Sequence, residues 1–286
     1  MLLKRNLVKF VATFLVFVLV SVGVINPSNV KAQNNNTTTE LDGVEVVVDN
    51  EQEIRLKTEI DGVVGILVQD KETLETTFTT YEESKLTPVS LLSVESTDTD
   101  SNLIEQYSLT IDDYSTEFGA TLTYENEETG QKATISNDDS VIQPRMVILA
   151  PLVQIVGAKL IEALLLVAAV ILLNGVEFAK TDEIAMNLRN KREYDHYYAK
   201  IVQQDVWIGP AISLSNAATR LVSFNGDSKI TGKDVWSTTL SGAAKVAQRA
   251  GGGKEPIGPE IEGLGLGFGY YYHFHTWNRF GGHSFF

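Results

Sequence analysis

No cysteine occurs in this 286-residue chain. That excludes disulfides, thiolate nucleophiles and every zinc site built on sulfur. With no Cys pair, the zinc-deaminase signature is absent as well. A chain of this length can still bury a core without cross-links. Histidine is nearly as scarce, with 4 residues. Three of them, His273, His275 and His283, fall within Tyr272–Phe286, and the fourth is His196. Long charge-free runs are also missing beyond the N-terminus. In the apolar stretch that begins at Met146 the longest such run, Ala163 to Val176, ends after 14 residues, short of the roughly 18–20 that a bilayer span needs. Between 40 and 145 there is no histidine, cysteine or glycine-rich motif, so that segment carries no recognisable chemistry.

What is present begins with an address. Lys4, Arg5 and Lys9 precede the apolar run Phe10–Ile25, and Val30-Lys31-Ala32 offers small residues to a signal peptidase. Residues 1–32 therefore read as a secretory signal cut after Ala32, and the expected location is secreted or at the cell surface. An uncleaved N-terminal anchor is the other reading. Residues 33–39 (QNNNTTT) are a polar tether with nothing to bury. The net charge of −14 is unevenly spread. Gln33–Arg145 holds 25 acidic against 6 basic residues, whereas Lys191–Phe286 holds 8 against 10. An acidic half is joined to a faintly basic one.

Residues 40–145 alternate with period 2 around Val44-Val46-Val48, Thr77-Thr79-Tyr81 and Leu109-Ile111, with turn signals at Glu127–Gly130 and Asn137–Asp139. This predicts a small antiparallel β domain. Its carboxylates read as a solvated exterior; as a functional alternative, they form an acidic pro-region that masks the basic half. Met146–Gly175 predicts a long hydrophobic helix, with Lys159 and Glu162 paired on one face and a polar helical continuation to Tyr194. Three roles stand open for it: entry into a target membrane, a buried inter-domain helix, or an ordinary anchor. Residues 195–286 predict a compact α+β domain. Its hairpin runs through His196–Gln203 and Val206–Ile208, a helix follows Ser213 or Ser215, and a second spans Thr239–Arg249 before Gly251–Gly253. The fold class expected for the whole chain is α+β.

The chain ends in an aromatic hairpin. On one strand Tyr271, His273, His275 and Trp277 share a face. With a five-residue loop over Asn278–Gly282, His283 faces Trp277 and Phe285 faces His275, so three imidazoles line one side. A slip of one residue would turn His283 away. Such a set can cleave RNA without a metal: one group takes the 2′-hydroxyl proton, another protonates the leaving oxygen, and a cation stabilises the phosphorane. The candidate residues are His273, His275 and His283, with Arg279 as the cation, Ser284 as an extra donor and Glu260 as base, orienter or loop anchor. No metal or cofactor is expected. The competing metal site would use His273 and His275 completed by His283 or Glu260, and a His-x-His pair alone is a weak metal signal. A core strand with hydrogen-bonded imidazoles is the bland alternative.

Several runs then carry a resemblance: His196-Tyr197-Tyr198-Ala199, Ile208-Gly209-Pro210-Ala211-Ile212-Ser213, Lys233-Asp234-Val235-Trp236, Gly251-Gly252-Gly253 with Pro259-Glu260, and the terminal His273-Phe274-His275…Gly282-His283-Ser284-Phe285-Phe286. Residues 195–286 resemble the toxin domain of an exported toxin family of Gram-positive bacteria, whose members join a signal peptide, a variable middle and a toxin domain closing in His-x-His…His-Ser-Phe. The resemblance does not extend to 40–145. It implies use against competing cells and an immunity protein as partner. By analogy with barnase-, colicin- and RelE-like RNases it implies RNA as substrate, with no stable DNA binding. The alternative from a different class is a membrane-active or receptor-binding toxin without catalysis, in which 146–175 makes a transient membrane contact.

Overall fold

The computed structural model describes residues 41–82, 103–115, 119–136, 151–203, 205–223, 233–261 and 271–286. Two compact units part after Gly43, and the second, Val44–Phe286, holds every element below. The expected leader, tether and turn at 137–139, together with 262–269 of the glycine-rich loop, lie outside the described residues.

The acidic segment is antiparallel β, as its alternation predicts. It consists of β1 (Val44–Asp49), β2 (Glu53–Ile60), β3 (Val63–Asp70), β4 (Thr76–Glu82), β5 (Leu103–Ser115), β6 (Gly119–Asn126) and β7 (Lys132–Ser136), each paired antiparallel to the next. Register aligns Leu56, Leu67, Phe78 and Tyr107 in one row across four strands, and all four are buried. Tyr124 closes the row, edge-on to both Phe78 and Tyr107. Cross-strand aromatic and aliphatic neighbours of this kind hold a sheet's apolar face together.

α1 (Pro151–Val167) covers that row through Val156, Leu160, Ile161 and Leu164, all fully buried. Each such side chain contributes about 1.5–3 kcal/mol by leaving water. Close approach is possible because Gly65 has no side chain: a Cβ there would lie 2.2 Å from Val156 Cγ1.

The expected helix over 146–175 does not form as one element. α1 stops at Val167, and the chain then makes β8 (Val170–Leu173), turns at Asn174-Gly175 and returns as β9 (Val176–Lys180). Both turn residues have positive φ, 50° and 68°, the hallmark of an Asn-Gly hairpin turn. Only α2 (Thr181–Lys191) remains of the helical continuation. Its first turn carries Asp182 and Glu183 and its last Arg189 and Lys191, an order that complements the helix dipole. Among the described residues, no helix is long and apolar enough to cross a membrane.

The remaining elements are β10 (His196–Val202), β11 (Asp205–Ile212), α3 (Leu214–Val222), β12 (Val235–Ser237), α4 (Leu240–Ala250), β13 (Ile257–Glu260), β14 (His273–His275) and β15 (Ser284–Phe285). The expected cap at Ser213 forms, accepting from Asn216 N–H. The second helix starts one residue later than expected and is capped by Thr239, whose Oγ1 accepts from Gly242 N–H. The strands make one mixed sheet in the order β1-β2-β3-β4-β5-β8-β9-β11-β10-β12-β15-β14-β13, with β6 and β7 branching from β5. A strand has two edges, so β5 gives one to β6 and shares the other between β4 and, at Ile111, β8. The fold is therefore α+β, and its sheet runs on past the expected boundaries at 145 and 194. At its C-terminal end α3 and α4 pack on one face, with Val235 and Phe274. The other face buries Tyr197, Trp236 and Phe285 beside Ile184 and Ala185 of α2.

Candidate functional site

Alternation along β14 and β15 separates core from site. Phe274 enters the core beneath α3 and α4, and Ser284 Oγ donates to Ala243 O at 2.9 Å. Ser284 is thus spent on tying the sheet to α4 and does not join the histidines. His273 faces Phe285, and Phe274 faces Ser284, a register that continues to His275 opposite His283. The expected pairing of Phe285 with His275 is displaced by two residues. A shift of two preserves side-chain parity, so His283 keeps the face it would have lost to a shift of one. The loop lengthens to Thr276–Gly282. It is held by Thr276 Oγ1 donating to Phe280 O at 2.8 Å and by Gly282 N–H donating to Leu221 O at 2.9 Å.

The three imidazoles converge. Their ring centroids are 4.9 Å apart in every pair, and one nitrogen of each lies within 4.8 Å of those of the other two. His273 Nδ1 is 3.1 Å from Tyr271 O. Asp234 Oδ1 accepts the His283 backbone N–H at 2.7 Å and lies 2.9 Å from His283 Nδ1. Glu260, paired with His273 across β13 and β14, places Oε1 3.1 Å from His275 Nε2 and 3.9 Å from His273 Nε2. Arg279 grips the same carboxylate with both fork nitrogens, at 2.6 and 2.8 Å, the bidentate geometry of a strong charge-assisted pair.

Burial and charge set the protonation states. Arg279 holds the Glu260 carboxyl below the usual carboxylate range, with His275 and His273 adding to the effect. Burial pushes the His275 imidazole below its ordinary value, and the neighbouring His283 and His273 push the same way against Glu260. His273 is 2% exposed and His275 6%, while the His283 side chain is 27% exposed at the rim. His275 Nδ1 is buried without a hydrogen-bond partner, and the approach of Nε2 to Glu260 is too oblique for a hydrogen bond.

Five of the six expected residues therefore meet: His273, His275, His283, Glu260 and Arg279. His196 lies apart from the cluster, its Nδ1 2.9 Å from Ser237 Oγ. Sequence reasoning missed Asp234 as a site residue. The parallel pairing of β12 with β15 brings it to His283 from 49 residues away, and no local pattern announces such a pairing. Chemically, the cluster can exchange protons at its rim, and its three imidazoles are also potential metal ligands. The loop between β14 and β15 carries Trp277, 45% exposed, with Lys254 Nζ 3.6 Å from its ring centroid, and Phe280, 47% exposed. Comparison with models of protein families, with characterised proteins and with solved structures finds no match.

Proposed function

We propose that the chain is an exported toxin, secreted or held at the cell surface, whose C-terminal region cleaves RNA by acid–base catalysis. The observation that carries the reading is the grouping of the ion pair Arg279–Glu260 and the pair His283–Asp234 on either side of His275. It places a fixed cation, an ionised carboxylate and a carboxylate-oriented imidazole on one rim. In the reaction, Glu260 takes the 2′-hydroxyl proton as the 2′-oxygen attacks phosphorus. His283 gives a proton to the departing 5′-oxygen, leaving a 2′,3′-cyclic phosphate. Arg279 stabilises the charge gathering on the phosphorane oxygens. Asp234 fixes the tautomer and angle of His283, as a carboxylate does behind a catalytic histidine. Exposed Trp277 and Phe280, with Lys254 and Arg279, provide stacking surfaces and phosphate contacts of the kind that single-stranded RNA uses. A producing cell would need an immunity protein that covers this rim.

The test is expression of residues 33–286, without the leader, in a bacterial cytoplasm. The expected result is growth arrest with RNA loss, and His283→Gln should lower cleavage by roughly 100- to 10,000-fold. Because His283 stands at the rim, that variant should stay folded. Undiminished toxicity in folded His283→Gln would sink the proposal.

A further inference from the structure

Proton transfer at the rim does not account for the inner part of the cluster. His273 is 2% exposed and cannot meet a substrate directly. His275 keeps a buried Nδ1 without a partner, an arrangement that costs about 1–3 kcal/mol when nothing compensates it. The other two rings are held from behind, His283 Nδ1 by Asp234 and His273 Nδ1 by the Tyr271 carbonyl. Anchoring one ring nitrogen to an acceptor turns the other lone pair inward, as carboxylates and carbonyls do behind metal-bound imidazoles.

We infer that His273, His275 and His283 form a binding site for a first-row transition-metal ion, zinc by ligand chemistry. Three imidazoles match the ligand set of zinc centres that keep a fourth position open. A donor set of nitrogens disfavours calcium and magnesium, which select oxygen. In a tetrahedron with 2.0–2.1 Å bonds, ligand nitrogens stand about 3.3 Å apart. The three nitrogens here lie within 4.8 Å, so small ring rotations close the site. Glu260, fixed by Arg279, stands beside the cluster and supplies negative charge.

The site shares its imidazoles with the proposed nuclease, and its regulatory consequence rests on that reading. Zinc on His283 takes the lone pair that proton transfer requires, so the loaded protein is the resting form and metal loss activates it.

Calorimetry and native mass spectrometry on residues 33–286, stripped by chelator and titrated with zinc chloride, test the site. One zinc per chain is expected, with a Kd below about 1 µM. His275→Ala and His283→Ala should each weaken binding at least 100-fold, and Asp234→Asn by about 10- to 100-fold. Millimolar magnesium chloride should give no binding. Circular dichroism checks that the variants fold; His283, partly exposed, supplies one that keeps the core intact. Absence of stoichiometric zinc, or zinc binding that survives both histidine substitutions, overturns the site. RNA cleavage by the stripped protein that zinc suppresses supports the regulatory consequence, and cleavage persisting with zinc bound overturns it. Zinc binding by a protein that cleaves no RNA in either form upholds the site and removes the nuclease.

Discussion

Burial pushes the Glu177 carboxyl in β9 up to about 7 from an ordinary 4.5. The folded chain therefore holds that proton more tightly than the unfolded chain does. The contribution to stability is complete below about pH 4.5 and is lost as pH rises through about 7. A rise of this size would be worth about 3 kcal/mol in a fully buried site, and about 1 kcal/mol at this part-exposed one. Glu177→Gln should thus stabilise the protein by about 1 kcal/mol at pH 8 and leave it unchanged at pH 4. Urea titrations of both proteins at the two pH values decide it; an equal shift at both would mean that ionisation is not the cause. Gly281 presents the opposite case, a backbone constraint. Its φ is +104°, and a Cβ would lie 2.1 Å from Leu221 O. Gly281→Ala should cost more than about 2 kcal/mol and displace His283, so weaker zinc binding should accompany the lower urea midpoint. Retention of both wild-type values would show that the loop accommodates a methyl.

Elements announced by local chemistry were legible. Ser213 caps its helix because a hydroxyl satisfies an exposed N–H wherever the next turn is helical, and Thr239 does the same one residue inside the expected start of the second helix. The β10–β11 hairpin and the acidic strands follow from period-2 alternation. The β8–β9 hairpin was hidden because Val170–Leu173 continues an apolar run that periodicity alone cannot divide. Asn174-Gly175 was the available signal, since two residues tolerant of positive φ mark a two-residue hairpin turn. In the site, side-chain parity made the shared face of the three histidines readable, while Asp234 required a long-range parallel pairing that nothing local encodes. The helix before β8 is also a test of its role. Leu164 is fully buried and Ile155 is 55% exposed. Leu164→Ala should lose about 2–5 kcal/mol, whereas Ile155→Lys should change stability by less than about 0.5 kcal/mol. If α1 instead entered membranes, Ile155→Lys would abolish toxicity at unchanged stability, and the packed-helix role would fail.

At the scale of the whole molecule, the acidic half serves the basic half as a structural partner. β8 connects them by pairing with β5 at Ile111 and with β9 along its length, and β9 in turn pairs with β11. Asp113 of β5 forms an ion pair with Lys200 of β10, whose ammonium burial pushes down to about 8. In sheet order Lys200 is separated from the histidine strand by β12 and β15. Among the described residues that contact braces the sheet, whereas a masking pro-region would have to cover the histidines. Cutting the chain before residue 195 would strip β11 of β9 and leave an unpaired edge, which invites aggregation. It would also remove Asp182, whose carboxylate accepts the Tyr271 hydroxyl at 2.6 Å, just ahead of the first site histidine. Residues 195–286 alone should therefore be less stable and less active than residues 33–286, and the longer chain should unfold in one transition. Parallel urea melts and RNA assays on the two proteins at equal concentration distinguish the roles. A fragment that folds alone and cleaves faster would restore the acidic segment as an inhibitor, because releasing a mask raises activity whereas removing a brace lowers it.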